Sequence, residues 1–193
     1  MTQIAERPTE SVGRLVDRFE HGLDAPICLT WELTYACNLS CVHCLSSSGR
    51  RDPRELSTDE CKALIDTFQR MQIFYVNIGG GEPTVRSDFW ELVQYAVDHQ
   101  VGVKFSTNGV RIDESVAARL AASDYVDVQI SLDGATAEVN DYVRGPGSYD
   151  TAITALWVIE EVYLRAWTTA AGASARQAGA PLNLSRADGR MTP

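Results

Sequence analysis

Strand-like and helix-like segments alternate four times between Ile27 and Leu132, and no other feature restricts the fold as much. "ICLTWEL", Ile27 to Leu33, is rich in β-formers and reads as a buried strand. "STDECKALIDTFQRM" follows, with Ser57 or Thr58 as N-cap and Cys61, Leu64, Ile65 and Phe68 at helical spacing. Then come a strand in "IFYVNIG", a helix in "SDFWELVQYAVDHQ", a strand in "VGVKFST", a helix in "DESVAARLAAS" and a strand in "YVDVQISL". This rhythm predicts an α/β fold of repeated βαβ units around a parallel sheet. Ligands of such sheets bind at the carboxyl ends of the strands. Every unusual stretch falls at such an end: the cysteines of "CNLSCVHC", then "GGGEP", "STNG" and "SLDG".

Cys37, Cys41 and Cys44 stand in a C-x3-C-x2-C spacing. A closed structural zinc site takes four ligands. The spare cysteines are badly placed to supply the fourth. Cys28 lies early in the first strand, at the wrong end, and Cys61 follows the apolar face of a helix. Both are expected to be small core residues. His43, inside the loop, is either a ligand or a side chain flanking the site. The loop is expected to offer three thiolates, which suits a [4Fe–4S] cubane with one iron left open. That departs from the usual ligation by four cysteines. An odd total of five cysteines, three of them clustered, fits metal binding better than a disulfide framework.

A net charge of −9 argues against a nucleic-acid or membrane-surface partner, since both call for a basic face. No apolar run is long enough to span a bilayer. The opening "MTQIAERPTESVGRLVDRFEHG" lacks the apolar core of a signal peptide. A cytoplasmic protein with reduced thiols is expected.

The cysteine spacing just after a first strand, followed by "GGGEP", resembles the radical S-adenosylmethionine superfamily. The resemblance implies a partial, TIM-like (β/α) barrel of which about four of six units are present. It also implies two cofactors, a [4Fe–4S] cluster on Cys37, Cys41 and Cys44 and S-adenosylmethionine chelated to its open iron. Gly80 and Gly81 would let backbone approach the cofactor. Glu82 inherits the role of holding the methionine amino group. Asn108 of "STNG" and Ser131 of "SLDG" stand where the family hydrogen-bonds the ribose and methionine. Both loops also read as plain turns, and Asn108 and Asp133 are equally suited to holding them. Arg144, in "NDYVRG", matches an arginine that would pair with the methionine carboxylate. Asn140 departs from the histidine common at its position, which puts that part of the match in doubt. The implied chemistry is a 5′-deoxyadenosyl radical that takes a hydrogen atom from substrate.

Within the superfamily, the stretch from about residue 20 to 156 resembles the mycofactocin radical maturases. Here "LTWELTYACNLSCVHCLSSSGRRDPRELSTDE", "NIGGGEPTVRSDFWELVQYAVDH" and "VQISLDGATAEVNDYVRG" carry the match. The implied substrate is a small ribosomal precursor peptide. Its C-terminal tyrosine would be oxidatively decarboxylated and then joined to the preceding valine by a carbon–carbon bond. A separate peptide-binding chaperone and an electron donor are the implied partners. Two other readings share part of the pattern: a radical enzyme acting on another peptide or a small molecule, and a non-catalytic iron–sulfur or zinc-binding fragment.

The expected organisation is an N-terminal extension over 1–24, an incomplete radical core over 25–156, and an atypical helix with a disordered tail over 157–193. Residues 167–193, from Trp167 on, are rich in Ala, Gly, Ser and Arg, hold no strand-like run and read as the tail. It reads as a C-terminal truncation or frame shift. The resemblance then implies a fourth strand with an open edge, whose Val126, Val128 and Ile130 lack partners on one side, and a chain that does not turn over the peptide.

Overall fold

The structure, a computed structural model, describes residues 26–177, with side chains described to residue 166. Four strands form one parallel sheet: β1 (Cys28–Thr34), β2 (Tyr75–Gly80), β3 (Gly102–Thr107) and β4 (Val126–Ile130). Their order in the sheet is β1-β2-β3-β4, the order of the chain. A doubly wound sheet reverses direction at a switch point, whereas a sequential order is that of a barrel wall.

Five helices connect and follow the strands: α1 (Thr58–Arg70), α2 (Phe89–Asp98), α3 (Glu114–Ala121), α4 (Ala137–Arg144) and α5 (Ser148–Gln177). Ser57, not Thr58, caps α1, in a reciprocal pair with Glu60 that satisfies two otherwise orphaned backbone donors. Asp113 caps α3 and Thr136 caps α4 through their side-chain oxygens.

The period of two along each strand sorts the faces. Val76 and Ile78, Val103 and Phe105, and Val126 lie in one apolar cluster with Ile65 and Phe68 of α1, Leu92 of α2 and Leu120 of α3. Phe89 and Phe105 meet edge to face at 5.1 Å, which pins α2 to the middle of the sheet. The alternate residues occupy the opposite, concave face.

Several expectations need correction. Cys28 is exposed at the start of β1 on the concave face, because the outward positions belong to Leu29 and Trp31. Cys61 is fully buried, as a small core residue should be. The stretch around Arg144 forms a separate helix, α4, that composition alone did not announce. The helix after Ser148 reaches Gln177, ten residues past Trp167, where the tail was expected to begin; residues 178–193 lie outside the described ones, as does the extension over 1–24. Among the described residues β4 is an outer strand paired with β3 alone, as expected, but its apolar side chains are not all stripped of partners. Val126 is buried, Val128 packs against the core, and α5 packs on α3 and β4 with Ile159 reaching the cluster.

Candidate functional site

At the carboxyl ends of the strands, the loop after β1 carries the three cysteines. Backbone bonds hold its two ends together: Cys37 N donates to Gly49 O at 3.1 Å, and Gly49 N to Tyr35 O at 2.8 Å. Glu55 closes the same loop from the far side. Its carboxylate accepts from Thr34 Oγ1 at 2.9 Å, Tyr35 N at 2.8 Å and Arg51 Nε at 3.0 Å. Two further ties fix the loop to its neighbours. Val42 N donates to Val143 O of α4 at 2.9 Å, and Asn38 Oδ1 accepts from Asn108 Nδ2 at 2.7 Å. Neither Glu55 nor Asn38 was singled out by sequence reasoning. Asn38 sits between two cysteines, and a short polar side chain inside a ligand loop was the available signal.

The thiols differ in surroundings. Burial raises the Cys37 pKa above that of an ordinary thiol, against a hydrogen bond from Leu39 N at 3.4 Å that favours the thiolate. Cys44 is shifted down, chiefly by the hydrogen bond from Ser48 N at 3.3 Å. Both N–H···S bonds are of the type that tunes iron–sulfur centres.

"GGGEP" plays two structural parts. Gly80 has φ +102°, and a Cβ there would lie 2.5 Å from Thr34 O; a Cβ at Gly81 would lie 2.2 Å from Ala36 O. These two glycines therefore permit β2 to close onto the end of β1, where Gly81 N donates to Thr34 O at 2.6 Å. Gly79 is the one with open space where its side chain would be, and it lines the cavity. Glu82 is buried. Its Oε1 accepts from Thr84 N at 3.2 Å, Thr84 Oγ1 at 2.5 Å and Thr107 Oγ1 at 2.8 Å, and its Oε2 accepts from Asn108 N at 2.7 Å. It is the post that holds the ends of β2 and β3 together.

The loop after β4 is bound into the same rim. Ser131 N donates to Thr107 O at 2.9 Å. Asp133 accepts from Arg144 Nε, and its Oδ1 lies 3.3 Å from His43 Nε2. This carboxylate so joins the cysteine loop, the β4 loop and α4. The outer nitrogen of His43 is directed to Asp133. Asn140, the apparent departure from pattern, is fully buried. Its Oδ1 accepts from Asp133 N and its Nδ2 donates to Ser148 Oγ, each at 2.9 Å. An amide can serve both, which explains a residue that sequence reasoning left as weak.

These pieces enclose an open cavity of about 260 Å³. Cys37, Cys41, Cys44, Glu82, Ser131 and Arg144 all line it, as do Gly80, Gly81 and Asn108. All nine residues expected at the site are thus brought together. The donor set suits a cubane. Three thiols from one loop border a cavity, and a cubane accepts each thiolate on a different iron, so the sulfurs need not converge on one point. Among the described residues no group of three or more His, Cys, Asp or Glu is gathered as a single metal ion would require. The other two cysteines stand apart, Cys28 at the start of β1 and Cys61 in α1, where its sulfur lies 3.8 Å from Arg86 Nη2.

A sequential parallel sheet with three loop cysteines over a glycine-rich strand end defines a class. Residues 31–171 match the radical SAM superfamily, and the chain belongs to it. Members of that superfamily use a [4Fe–4S] cluster and S-adenosylmethionine. More particularly, the chain is similar to mycofactocin maturases. It is 79% identical over 147 residues to mycofactocin maturase MftC of Mycolicibacterium smegmatis, covering 76% of this chain and 38% of that one. An AdoMet-dependent heme synthase of Methanosarcina barkeri is 36% identical over 140 residues, 72% of this chain and 40% of that one. The chain thus spans about two fifths of the length of these relatives. Streptococcus suis SuiB bound to S-adenosylmethionine shares the fold with a TM-score of 0.65 at 24% identity, over 72% of this chain and 32% of that one. SuiB bound to precursor peptide SuiA gives a TM-score of 0.63 at 25% identity, over 72% and 31%. No helix among the described residues is long and apolar enough to cross a membrane.

Proposed function

We propose that this chain holds a [4Fe–4S] cluster on Cys37, Cys41 and Cys44 and S-adenosylmethionine beside it, for the radical modification of a ribosomal precursor peptide. The observation that carries this reading is the convergence of the three thiols, Gly79, Glu82, Ser131 and Arg144 on one cavity. When bound, the two cofactors together supply a carbon-centred radical able to abstract hydrogen. The chain's own residues bind and orient. Gly79 leaves the cavity open beside the cysteine loop. Glu82 holds the floor through Thr107 and Asn108, and its edge of the cavity receives the methionine ammonium. Arg144, fixed at Nε by Asp133, offers its remaining donors to the methionine carboxylate. Asn108 and Ser131 flank the ribose. Such fixed donors place a reacting C–H bond near the radical and keep water from it.

The substrate reading follows the similarity to mycofactocin maturases: oxidative decarboxylation of a C-terminal tyrosine, then its carbon–carbon bond to valine. It includes a separate peptide-binding chaperone, an electron donor and a cytoplasmic setting, and neither nucleic acid nor membrane as partner. The heme synthases are similar in sequence at roughly half the identity, so a small-molecule substrate is the second reading. The test is anaerobic reconstitution, reduction, and assay of S-adenosylmethionine cleavage. The iron-loaded chain should form 5′-deoxyadenosine and methionine in equal amounts, with little conversion of the peptide by these 193 residues alone. Absence of cleavage in the loaded, reduced chain would overturn the reading.

A further inference from the structure

The concave face of the sheet carries a polar row directly below the cofactor cavity. Strand register sets Thr30 beside Asn77, Asn77 beside Lys104, and Lys104 beside Asp127. Each is the alternate of a core position, so all four share the face opposite the helices. Lys104 is the one basic residue in the four strands, and one of two lysines in a chain of net charge −9. Among the described residues it makes no hydrogen bond and no ion pair, although Asp127 is its register neighbour. It also borders a cleft of about 340 Å³ at the amino ends of the strands, with Tyr75, Tyr125 and Asp127.

Asn77 carries a second unmet polar group. Its Oδ1 is buried and has no hydrogen-bond partner. A buried acceptor left unpaired is costly, and native structures contain few. The two unmet groups are complementary in kind: a cation and a hydrogen-bond acceptor at paired register positions of adjacent strands, whose backbones lie about 4.8 Å apart. The C-terminal residue of a peptide presents the matching pair, a carboxylate and its own backbone N–H, on one Cα. Lys104 also lies two residues before Ser106, which lines the cofactor cavity, so its layer sits about 6.6 Å beneath it. The four-carbon stem of lysine covers that interval.

We propose that Lys104 and Asn77 anchor the C-terminal residue of the precursor peptide on the concave face, Lys104 taking its carboxylate and Asn77 Oδ1 its N–H. The proposal rests on the peptide reading above and names the residues that hold the peptide's C-terminal end. Terminal recognition then comes from the sheet, and the cofactor cavity is left to the chemistry.

The test uses the full chain, reconstituted with iron and sulfide and saturated with S-adenosylmethionine. Two fluorescent peptides ending in Val-Tyr are compared by anisotropy, one with a free carboxylate and one with a C-terminal amide. The wild type should bind the free acid at least about tenfold more tightly than the amide. Lys104→Met should bring the acid down to the amide's affinity without changing the amide's own. Lys104→Arg should retain most of the preference, and Asp127→Asn should not abolish it. Unchanged S-adenosylmethionine affinity and circular dichroism in each variant exclude misfolding as the cause. Equal binding of both peptides by the wild type, or a preference that survives Lys104→Met, would overturn the anchor while leaving the peptide reading intact. Failure to bind either peptide with S-adenosylmethionine still bound, and with the peptide-binding chaperone present, would overturn the peptide reading and the anchor with it.

Discussion

Glu82→Ala should damage the protein more through its framework than through any single ligand contact. The carboxylate accepts four hydrogen bonds, from Thr84 N, Thr84 Oγ1, Thr107 Oγ1 and Asn108 N. The two hydroxyls can turn to other acceptors, Thr107 Oγ1 remaining close to Gly109 N as an acceptor in its own right. The two backbone N–H groups cannot move, and each is left buried and unpaired. An orphaned donor costs about 1–3 kcal/mol, and the space vacated by the side chain adds to it. A loss of about 3–5 kcal/mol is expected, a large share of the roughly 5–15 kcal/mol that holds a domain together. For a chain of this size that corresponds to a melting temperature lower by roughly 6–20 °C. Glu82→Gln keeps the shape and one acceptor oxygen and should lose less than half as much. Differential scanning fluorimetry of the three proteins, in the same metal state, decides it. A Glu82→Ala protein that melts within 2–3 °C of wild type, by this roughly 1 kcal/mol criterion, would show that the buried hydrogen bonds contribute little. Glu82 would then be a ligand contact only.

Gly80→Ala places a Cβ 2.5 Å from Thr34 O at φ +102°, so it should cost at least about 1–3 kcal/mol and lower iron retention by displacing the cysteine loop; normal stability and iron content would contradict the close approach. Asp88 has its pKa lowered to about 2 by the hydrogen bonds from Arg86, and it also accepts from Thr58 Oγ1 at 2.8 Å. A depressed carboxyl stabilises the fold above its unfolded pKa of 3.8, and that contribution, roughly 2 kcal/mol, disappears as pH falls toward 2. Asp88→Asn should therefore lose about that much at neutral pH and show a flatter stability profile between pH 4 and about 2 in urea titrations; parallel profiles would refute the linkage.

Much of the fold was legible because the strands alternate apolar core positions with polar ones, and α1 and α3 open on side-chain caps. Ser57 with Glu60, and the alternation of Val103 and Phe105 with Lys104 and Ser106, needed no tertiary knowledge. The cavity-lining residues were legible for a different reason: apart from Arg144 on α4, they sit at or just beyond the carboxyl end of a strand, and three are cysteines at fixed spacing. What escaped was whatever depends on partners distant in sequence. Glu55 reads as a surface acid, yet it ties Thr34 and Tyr35 from twenty residues away. Asn140 reads as a poor substitute for histidine until Asp133 and Ser148 are seen on either side of its amide. Gly80 and Gly81 read as room for a ligand, whereas the backbone of β1 fills that room and Gly79 alone faces open space. Cys28 misled because burial in a parallel strand was assumed for both faces. Here the concave face stays open and polar.

The central claim is that three thiols, and only three, hold a cluster whose open iron accepts S-adenosylmethionine. Electron paramagnetic resonance of the dithionite-reduced, reconstituted chain measures it directly. One [4Fe–4S] signal is predicted, with g values that shift when S-adenosylmethionine is added. Cys28→Ala and Cys61→Ala should keep both the signal and the shift, and Cys41→Ala should lose the iron. A full cluster in Cys41→Ala, or a wild-type signal indifferent to S-adenosylmethionine, would contradict the account.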